Sequence, residues 1–287
     1  MNKLVPENLN LSTVCPFNNG ISIITIVLNG ETFIEGTILS VIEQKKVNIE
    51  YIIIDGGSTD GTLKKISIYR DRINLLISEP DKGIYYAINK GISFAKYNLI
   101  GLIHCGDFYE PNVLSVISDE FQRIKPDVIY GDVKIIEQLL GKTLTRYSKS
   151  NHNFLRKRMS IFHPATFISR ECYDKNGVYD ANYKIAADYD LFLHLYLKGV
   201  TFHYIPMALA NFRGGGVSGT MFKLLFRENF IIRKKHLGIL YACFYAITKI
   251  PVHLFYNFRK SFIETIIGKR TFMKLKRYII NRTISGF

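Results

Sequence analysis

The chain predicts an α/β fold: a Rossmann-like, mainly parallel sheet flanked by helices, with a basic amphipathic helical region at its C-terminus. Three observations predict it. Up to about residue 103, short β-branched apolar runs alternate with longer segments of helical spacing, the pattern of repeated β-α units. The runs are mostly apolar rather than alternating, as strands covered on both faces are. Acidic or glycine-rich turns follow them, at the strand ends where doubly wound sheets bind ligands.

The elements follow in order. Ile21 to Leu28 (ISIITIVL) reads as a buried strand, and Thr32 to Gln44 as a helix with Phe33, Thr37 and Val41 on one face. Tyr51 to Ile54 forms a second strand ending at Asp55, with a helix over Asp60–Tyr69 after it. A third strand, Ile73 to Ile77, is followed by a helix over Ile84–Ala95, and a fourth, Leu99 to Ile103, stops just before Gly106-Asp107. Pro111 opens a helix to about Arg123, since proline suits a first helical turn. Asp127 to Ile136 and Lys142 to Tyr147 read as a hairpin. The segment 151–211 is mostly loop, with a helix over Asp188–Leu197 and a strand over Thr201–Ile205.

At Gly219 the composition changes. The 287 residues carry a net charge of +14, and residues 221–287 hold 14 Lys and Arg against only Glu228 and Glu264. A nearly neutral domain, 1–220, therefore precedes a basic region, 221–287. Phe222–Phe230 and Leu237–Phe258 mix aromatic and aliphatic residues with flanking Arg233-Lys234-Lys235 and Arg259-Lys260, as expected of helices lying on an anionic membrane. The alternative is a helical subdomain that packs on the body or on a second copy. Nucleic acid is a poor partner, because acids at the strand ends would repel a phosphate backbone. Cys15, Cys105, Cys172 and Cys243 lie far apart, with no zinc-ligand spacing, and the first residues lack an apolar signal core, so a cytosolic setting is expected. There is no Walker loop and no Gly-x-Ser-x-Gly elbow, which argues against P-loop and serine-hydrolase chemistry.

Four motifs can carry chemistry. In IIIDGGSTDGT, Asp55 at a strand end can accept hydrogen bonds from a base or ribose, or can simply shape its turn. In LIHCGDFYEP, Asp107 can hold a hard divalent cation shared with phosphate oxygens, or can cap a helix. In AADYDLFLHL, Asp188 and Asp190 point in different directions from a helix start, so one can act as general base while the other complements the helix dipole. NFRGGGVSG matches a dinucleotide fingerprint in letters only; a glycine loop carrying Arg213 towards a phosphate suits its position better. Of the single histidines His104, His152 and His163, only His163, before Pro164, is a candidate acceptor-pocket residue.

Taken in order, ISIITIVLNG, IIIDGGSTDGT, SEPDKGIYYAINKGI, GLIHCGD, HPATF, AADYDLFLHL and NFRGGGVS resemble the family 2 glycosyltransferases of the GT-A fold, especially the bacterial branch that builds surface polysaccharides. The resemblance covers about residues 20–220. It implies that Thr25, Asn29, Asp55 and Ser58 line the nucleotide pocket, with Asp55 on the base, and that Asp81, Lys82, Gly83 and Asn89 close over the nucleotide. It implies that Asp107 binds Mn²⁺ or Mg²⁺ at the diphosphate and that Asp188 is the catalytic base. The expected reaction is inverting transfer of one sugar from a nucleotide-sugar donor, UDP-linked by analogy, to a glycan or polyprenyl-diphosphate-linked acceptor at the inner face of the membrane; a homo-oligomer is compatible with this.

The sequence departs from the family pattern in places. Gly56 stands where a second Asp is common, Ala187 replaces the Glu of the ED pair, and the absence of Trp removes the QxxRW motif of processive synthases. The thinned acids leave a competing reading, a nucleotide-binding relative without turnover.

Overall fold

A computed structural model describes residues 20–139, 142–213 and 221–248. The first half follows the predicted β-α order. Strand β1 (Ile21–Val27) is buried along its whole length, because it pairs in parallel with β2 (Ile49–Asp55) on one side and β4 (Leu99–Leu102) on the other. Strand β3 (Leu75–Ser78) extends the parallel set beyond β2. Helices α1 (Ile34–Ile42), α2 (Thr62–Ser67) and α3 (Ile84–Phe94) make the connections. The alternation within each strand divides the core. Ile24, Ile26, Ile52 and Ile54 pack on the face shared with α3, while Ile21, Ile23, Val27 and Ile53 pack on the face shared with α1.

The second half completes a nine-stranded mixed sheet. After the two-residue β5 (Phe108–Tyr109) and α4 (Val113–Ile124), β6 (Val128–Leu139) and β7 (Lys142–Ser148) form the expected hairpin. Strand β8 (Thr166–Ser169) inserts antiparallel between β4 and β6, and β9 (Phe202–Arg213) runs parallel to β6, giving the order β3-β2-β1-β4-β8-β6-β9-β5 with β7 on β6.

Two differences from the sequence reading have physical causes. Strand β9 continues eight residues past Ile205, because the register shifts opposite Asp132 bulge out Pro206 and Met207, which are exposed, so the proline removes no needed donor. Strand β8 and helix α5 (Arg170–Asn176) occupy a stretch read as loop; four residues are too few for a periodicity, and α5 is started by the Ser169 hydroxyl accepting the Cys172 N–H at 3.1 Å.

Helix α6 (Ala187–Leu197) is buried nearly all round. It is covered by α7 (Phe222–Leu237), which belongs to the region set apart by composition. Arg233 of α7 is 2% exposed, donates to the Lys157 carbonyl at 3.1 Å, and lies over the rings of Tyr189 and Tyr245. A following helical stretch, 239–248, returns along the body, where the Tyr241 hydroxyl donates to the Arg156 carbonyl at 3.0 Å. The described part of the basic region is thus packed on the body. The glycine loop 214–219 and the remainder of Leu237–Phe258, with Arg259-Lys260, lie outside the described residues. Among those described, no helix is long and apolar enough to cross a membrane.

Candidate active site

The parallel strands bring their carboxyl ends to one edge. Val27, Asp55 and Ser78 stand in register across β1, β2 and β3. Asp55 is fully buried, and its carboxylate organises the turn after β2: one oxygen accepts the Ser58 hydroxyl, the other accepts the N–H groups of Gly57 and Ser58 at 3.1 and 3.0 Å and the Ser78 hydroxyl at 2.7 Å. Asn29, exposed and left-handed at φ 50°, ties this turn to the end of β1 through its N–H to Ser58 Oγ and its side-chain oxygen from the Thr59 N–H. These contacts produce a rigid, backbone-rich shelf.

The other residues expected at the nucleotide have environments of their own. Thr25 is completely buried, with its hydroxyl 3.1 Å from that of Tyr51; the strand alternation turns it into the core beside Ile23 and Val27. Asn89 spends both ends of its amide on the backbone of Tyr179, at 2.7 and 3.1 Å, and so staples α3 to the segment before α6. Asp81 pairs with Lys90 at 2.5 Å and keeps a second oxygen buried without a partner. Lys82 is exposed, and Gly83 begins α3 at φ 150°, ψ 168°, a conformation open only to glycine.

The second acid lies where β4, β5 and β9 meet. Beyond β4 the chain stays paired with β1 through Cys105 N–H to the Ile26 carbonyl, then turns at Gly106 (φ 102°) and presents Asp107. Asp107 is 5% exposed and is fixed by three neighbours. Its Oδ1 accepts the Arg213 N–H at 2.8 Å, its carbonyl accepts the Thr37 hydroxyl at 2.8 Å, and its Oδ2 faces His163 Nε2 at 3.7 Å. Arg213 is therefore the last residue of β9, not part of a glycine loop; its guanidinium lies 4.3 Å over the Phe33 ring.

His163 is not isolated. Its ring packs at 4.5 Å against His104, and both His163 Nε2 and His104 Nδ1 are buried without hydrogen-bond partners. Burial, and secondarily the neighbouring His163, hold His104 well below the ordinary histidine range. His152, in contrast, bonds the Tyr130 hydroxyl and stacks on Phe202, an ordinary packing role.

The two acids of α6 diverge as expected. Asp188 is half-buried, and burial raises its pKa above the ordinary carboxylate value, opposed in part by His163. It adjoins Tyr85 of α3, whose hydroxyl lies at the N–H groups of Ala187 and Asp188. Asp190 points the other way, into α7, where it accepts from Lys235 at 2.9 Å and His236 at 2.8 Å. Burial opposes its ionisation, but the bonds to His236 and Lys235 outweigh it and hold its pKa below the usual value.

The site thus has an ordered shelf at Asp55 and Asn29, an acid-imidazole pair at Asp107 and His163, a cationic arm at Arg213, and a raised carboxyl at Asp188. Among the described residues no three His, Cys, Asp or Glu side chains gather as a ready metal cage. A cation shared with phosphate oxygens needs fewer protein ligands, and the unpartnered His163 Nε2 facing a carboxylate oxygen fits one. The parts that His104, Tyr85, Thr37 and Glu228 play around the site were not read from the sequence. Glu228 alone carried a signal, as a rare acid in a basic segment.

Known proteins resemble this chain in sequence and in fold. The chain is 26% identical over 208 residues to a PGL/p-HBAD biosynthesis glycosyltransferase of Mycobacterium bovis, covering 70% of this chain and 79% of that one. It is 28% identical over 180 residues to the chondroitin synthase of Pasteurella multocida, covering 61% of this chain but 18% of that larger protein. In fold it matches the S. aureus TarS 1–349 structure in complex with UDP-GlcNAc, at TM-score 0.59 and 16% identity, over 76% of this chain and 67% of that one. A family model described as glycosyl transferase family 2 matches residues 22–173, from the start of β1 into α5. The mixed sheet with its acids at the strand ends is therefore the scaffold of an enzyme, and the chain belongs to glycosyl transferase family 2.

Proposed function

We propose that the protein is an inverting glycosyltransferase that moves one sugar from a UDP-sugar to a glycan or lipid-linked acceptor in bacterial surface-polysaccharide synthesis. The observation that carries this reading is the placement of one half-buried carboxyl of raised pKa, Asp188, across from the Asp107–His163 pair at the mouth of the sheet. A base has to be deprotonated and still hold a proton well at the working pH, and a carboxyl pushed upward by burial is suited to that.

The residues divide the work. The shelf of Gly57 and Ser58 offers backbone to a nucleotide, and rotation of the Ser58 hydroxyl frees a lone pair of Asp55 for the N–H of a base. Arg213 directs charge at the diphosphate. Asp107 and His163 would hold the divalent cation, Mn²⁺ or Mg²⁺, and in this reading His163 serves the diphosphate rather than an acceptor pocket. When bound, the cation neutralises charge on the leaving diphosphate. Asp188 accepts the proton of the acceptor hydroxyl as its oxygen attacks the anomeric carbon, and the bond to the diphosphate breaks on the opposite face.

The C-terminal region supports a membrane-apposed, cytoplasmic enzyme. Leu240, Phe244 and Ile247, one helical face of 239–248, are 84%, 66% and 70% exposed, and basic residues adjoin them. A panel of UDP-, GDP- and dTDP-sugars with Mn²⁺ or Mg²⁺, read by nucleotide release, tests the reading. Release from a UDP-sugar that disappears in Asp188→Asn, with UDP binding retained, is expected; no release from any donor would favour a binding protein without turnover.

A further inference from the structure

Glu228 lies on α7, in the region that composition sets apart from the catalytic domain, yet it is 5% exposed. Its carboxylate reaches the turn that leads into α6. One oxygen accepts the Lys184 N–H at 2.8 Å; the other accepts the N–H groups of Ile185 at 3.1 Å and Ala186 at 2.9 Å. Helix α6 has no capping side chain of its own at Ala186, so these donors depend on a residue more than forty positions away in sequence. The negative charge also complements the positive end of the helix.

Asp188 follows two residues after Ala186, within the first turn of α6. The direction of its side chain is set by the backbone path from Lys184 to Ala187, which the three bonds hold. The position of α7 is fixed independently, by Arg233 on Tyr189 and by Lys235 and His236 on Asp190. Glu228 is thus the carboxylate at the end of a rigid strut, aimed at the turn that carries the base.

We propose that Glu228 is a positioning residue for Asp188, and that α7 is therefore a working part of the active site rather than only an attachment to a membrane or partner. The proposal rests on the assignment of Asp188 as the base. The ionisable groups that face Asp188 are Tyr85 from α3, His163 from the turn before β8, Tyr179 from the segment before α6, and Glu228 from α7. Of these, Glu228 opposes ionisation of Asp188 and His163 favours it.

The test compares wild type, Glu228→Gln and Asp188→Asn in the full chain. The readouts are thermal melting, UDP binding, nucleotide release against pH, and the ¹³C titration of the aspartate carboxyl whose resonance is missing in Asp188→Asn. Glutamine keeps the shape but loses the charge and places an N–H₂ group where one carboxylate oxygen accepted, against one or two of the three donors. A displacement of the base by about 1 Å is enough for a hundredfold loss, so turnover is expected to fall about ten- to a hundredfold. UDP affinity should stay within about twofold, and both the acid limb and the Asp188 midpoint should move to lower pH, because a neighbouring negative charge has gone.

Turnover within twofold of wild type together with an unmoved Asp188 midpoint overturns the proposal. If Glu228→Gln does not melt cooperatively, Glu228→Asp serves instead: it keeps the charge but is one methylene short, so turnover should fall while the Asp188 midpoint stays, and wild-type turnover there overturns the proposal. Loss in the Glu228 variants alongside full turnover in Asp188→Asn would instead refute Asp188 as the base.

Discussion

Asp188 and Asp190 are two residues apart in the first turn of one helix, yet they sit in opposite surroundings. Asp188 faces the mouth of the sheet, close to His163 and Tyr85, and its carboxylate accepts the Tyr189 N–H of its own helix at 2.8 Å. Asp190 faces α7 and is gripped by an ammonium and an imidazole. Burial raises the first pKa, while the second falls because the bonds to His236 and Lys235 outweigh the same effect. The difference shows that residue type and helix position do not assign a role. What the far side of the fold places against each carboxyl does, and for Asp190 that is the basic C-terminal region.

The largest expected effect separates them on activity. Asp188→Asn should lower nucleotide release by about 10²- to 10⁴-fold, the usual worth of a general base, with little change in melting temperature. Asp190→Asn should retain most of its turnover. Next in size is the Asp107–His163 pair. Asp107→Asn or His163→Ala should abolish the stimulation of nucleotide release by Mn²⁺, and pulsed EPR of Mn²⁺ added to the wild-type protein should show a nitrogen coupling that His163→Ala removes.

Stability reverses the order of the two aspartates. Asp190→Asn should destabilise the fold by about 1–3 kcal/mol, since it replaces the buried carboxylate that Lys235 and His236 both bond with a neutral amide whose N–H₂ faces a donor, and chemical denaturation will read it. The pH dependence has a definite sign. A carboxyl whose folded pKa is depressed contributes stability above its unfolded value of about 3.9, and that contribution is lost as pH falls through the lower, folded value. The α6–α7 contact should therefore loosen only in acid, while turnover should already decline at higher pH, as Asp188 takes up its proton. The smallest effect is on the shelf. Ser58→Ala removes the hydroxyl that donates to Asp55 and accepts the exposed Asn29 N–H, and should change UDP affinity only severalfold, the worth of about 1 kcal/mol.

The parallel half of the sheet was legible because its strands are short, mostly apolar runs separated by turns and helical spacings. Asp55, Asp107 and Asp188 stood out because each adjoins an element with a readable pattern: Asp55 ends β2, Asp107 comes shortly after β4, and Asp188 opens α6. The remainder depended on distant partners. Strand β9 was cut short at Pro206 because a proline ends a strand unless a bulge accommodates it, and the bulge lies opposite Asp132 on another strand. Thr25 and Asn89 looked like pocket residues by their place in the order of motifs, but strand alternation buries one and a backbone staple to Tyr179 occupies the other. Arg213 proved to be anchored on Asp107 by a pairing across 106 residues. The charge step at Gly219 is real in composition, but the packing crosses it, since Glu228, Arg233, Lys235 and His236 all bind residues of the first 220.

The central claim, that Asp188 is the proton acceptor and Asp190 the structural anchor, is tested most directly by titrating both carboxyls in one ¹³C-aspartate-labelled sample, each assigned by its loss in the corresponding Asn variant. The expected result is a midpoint for Asp188 above the ordinary value of about 3.9 and a midpoint for Asp190 below it. Midpoints that coincide, or that stand in the reverse order, would contradict the assignment.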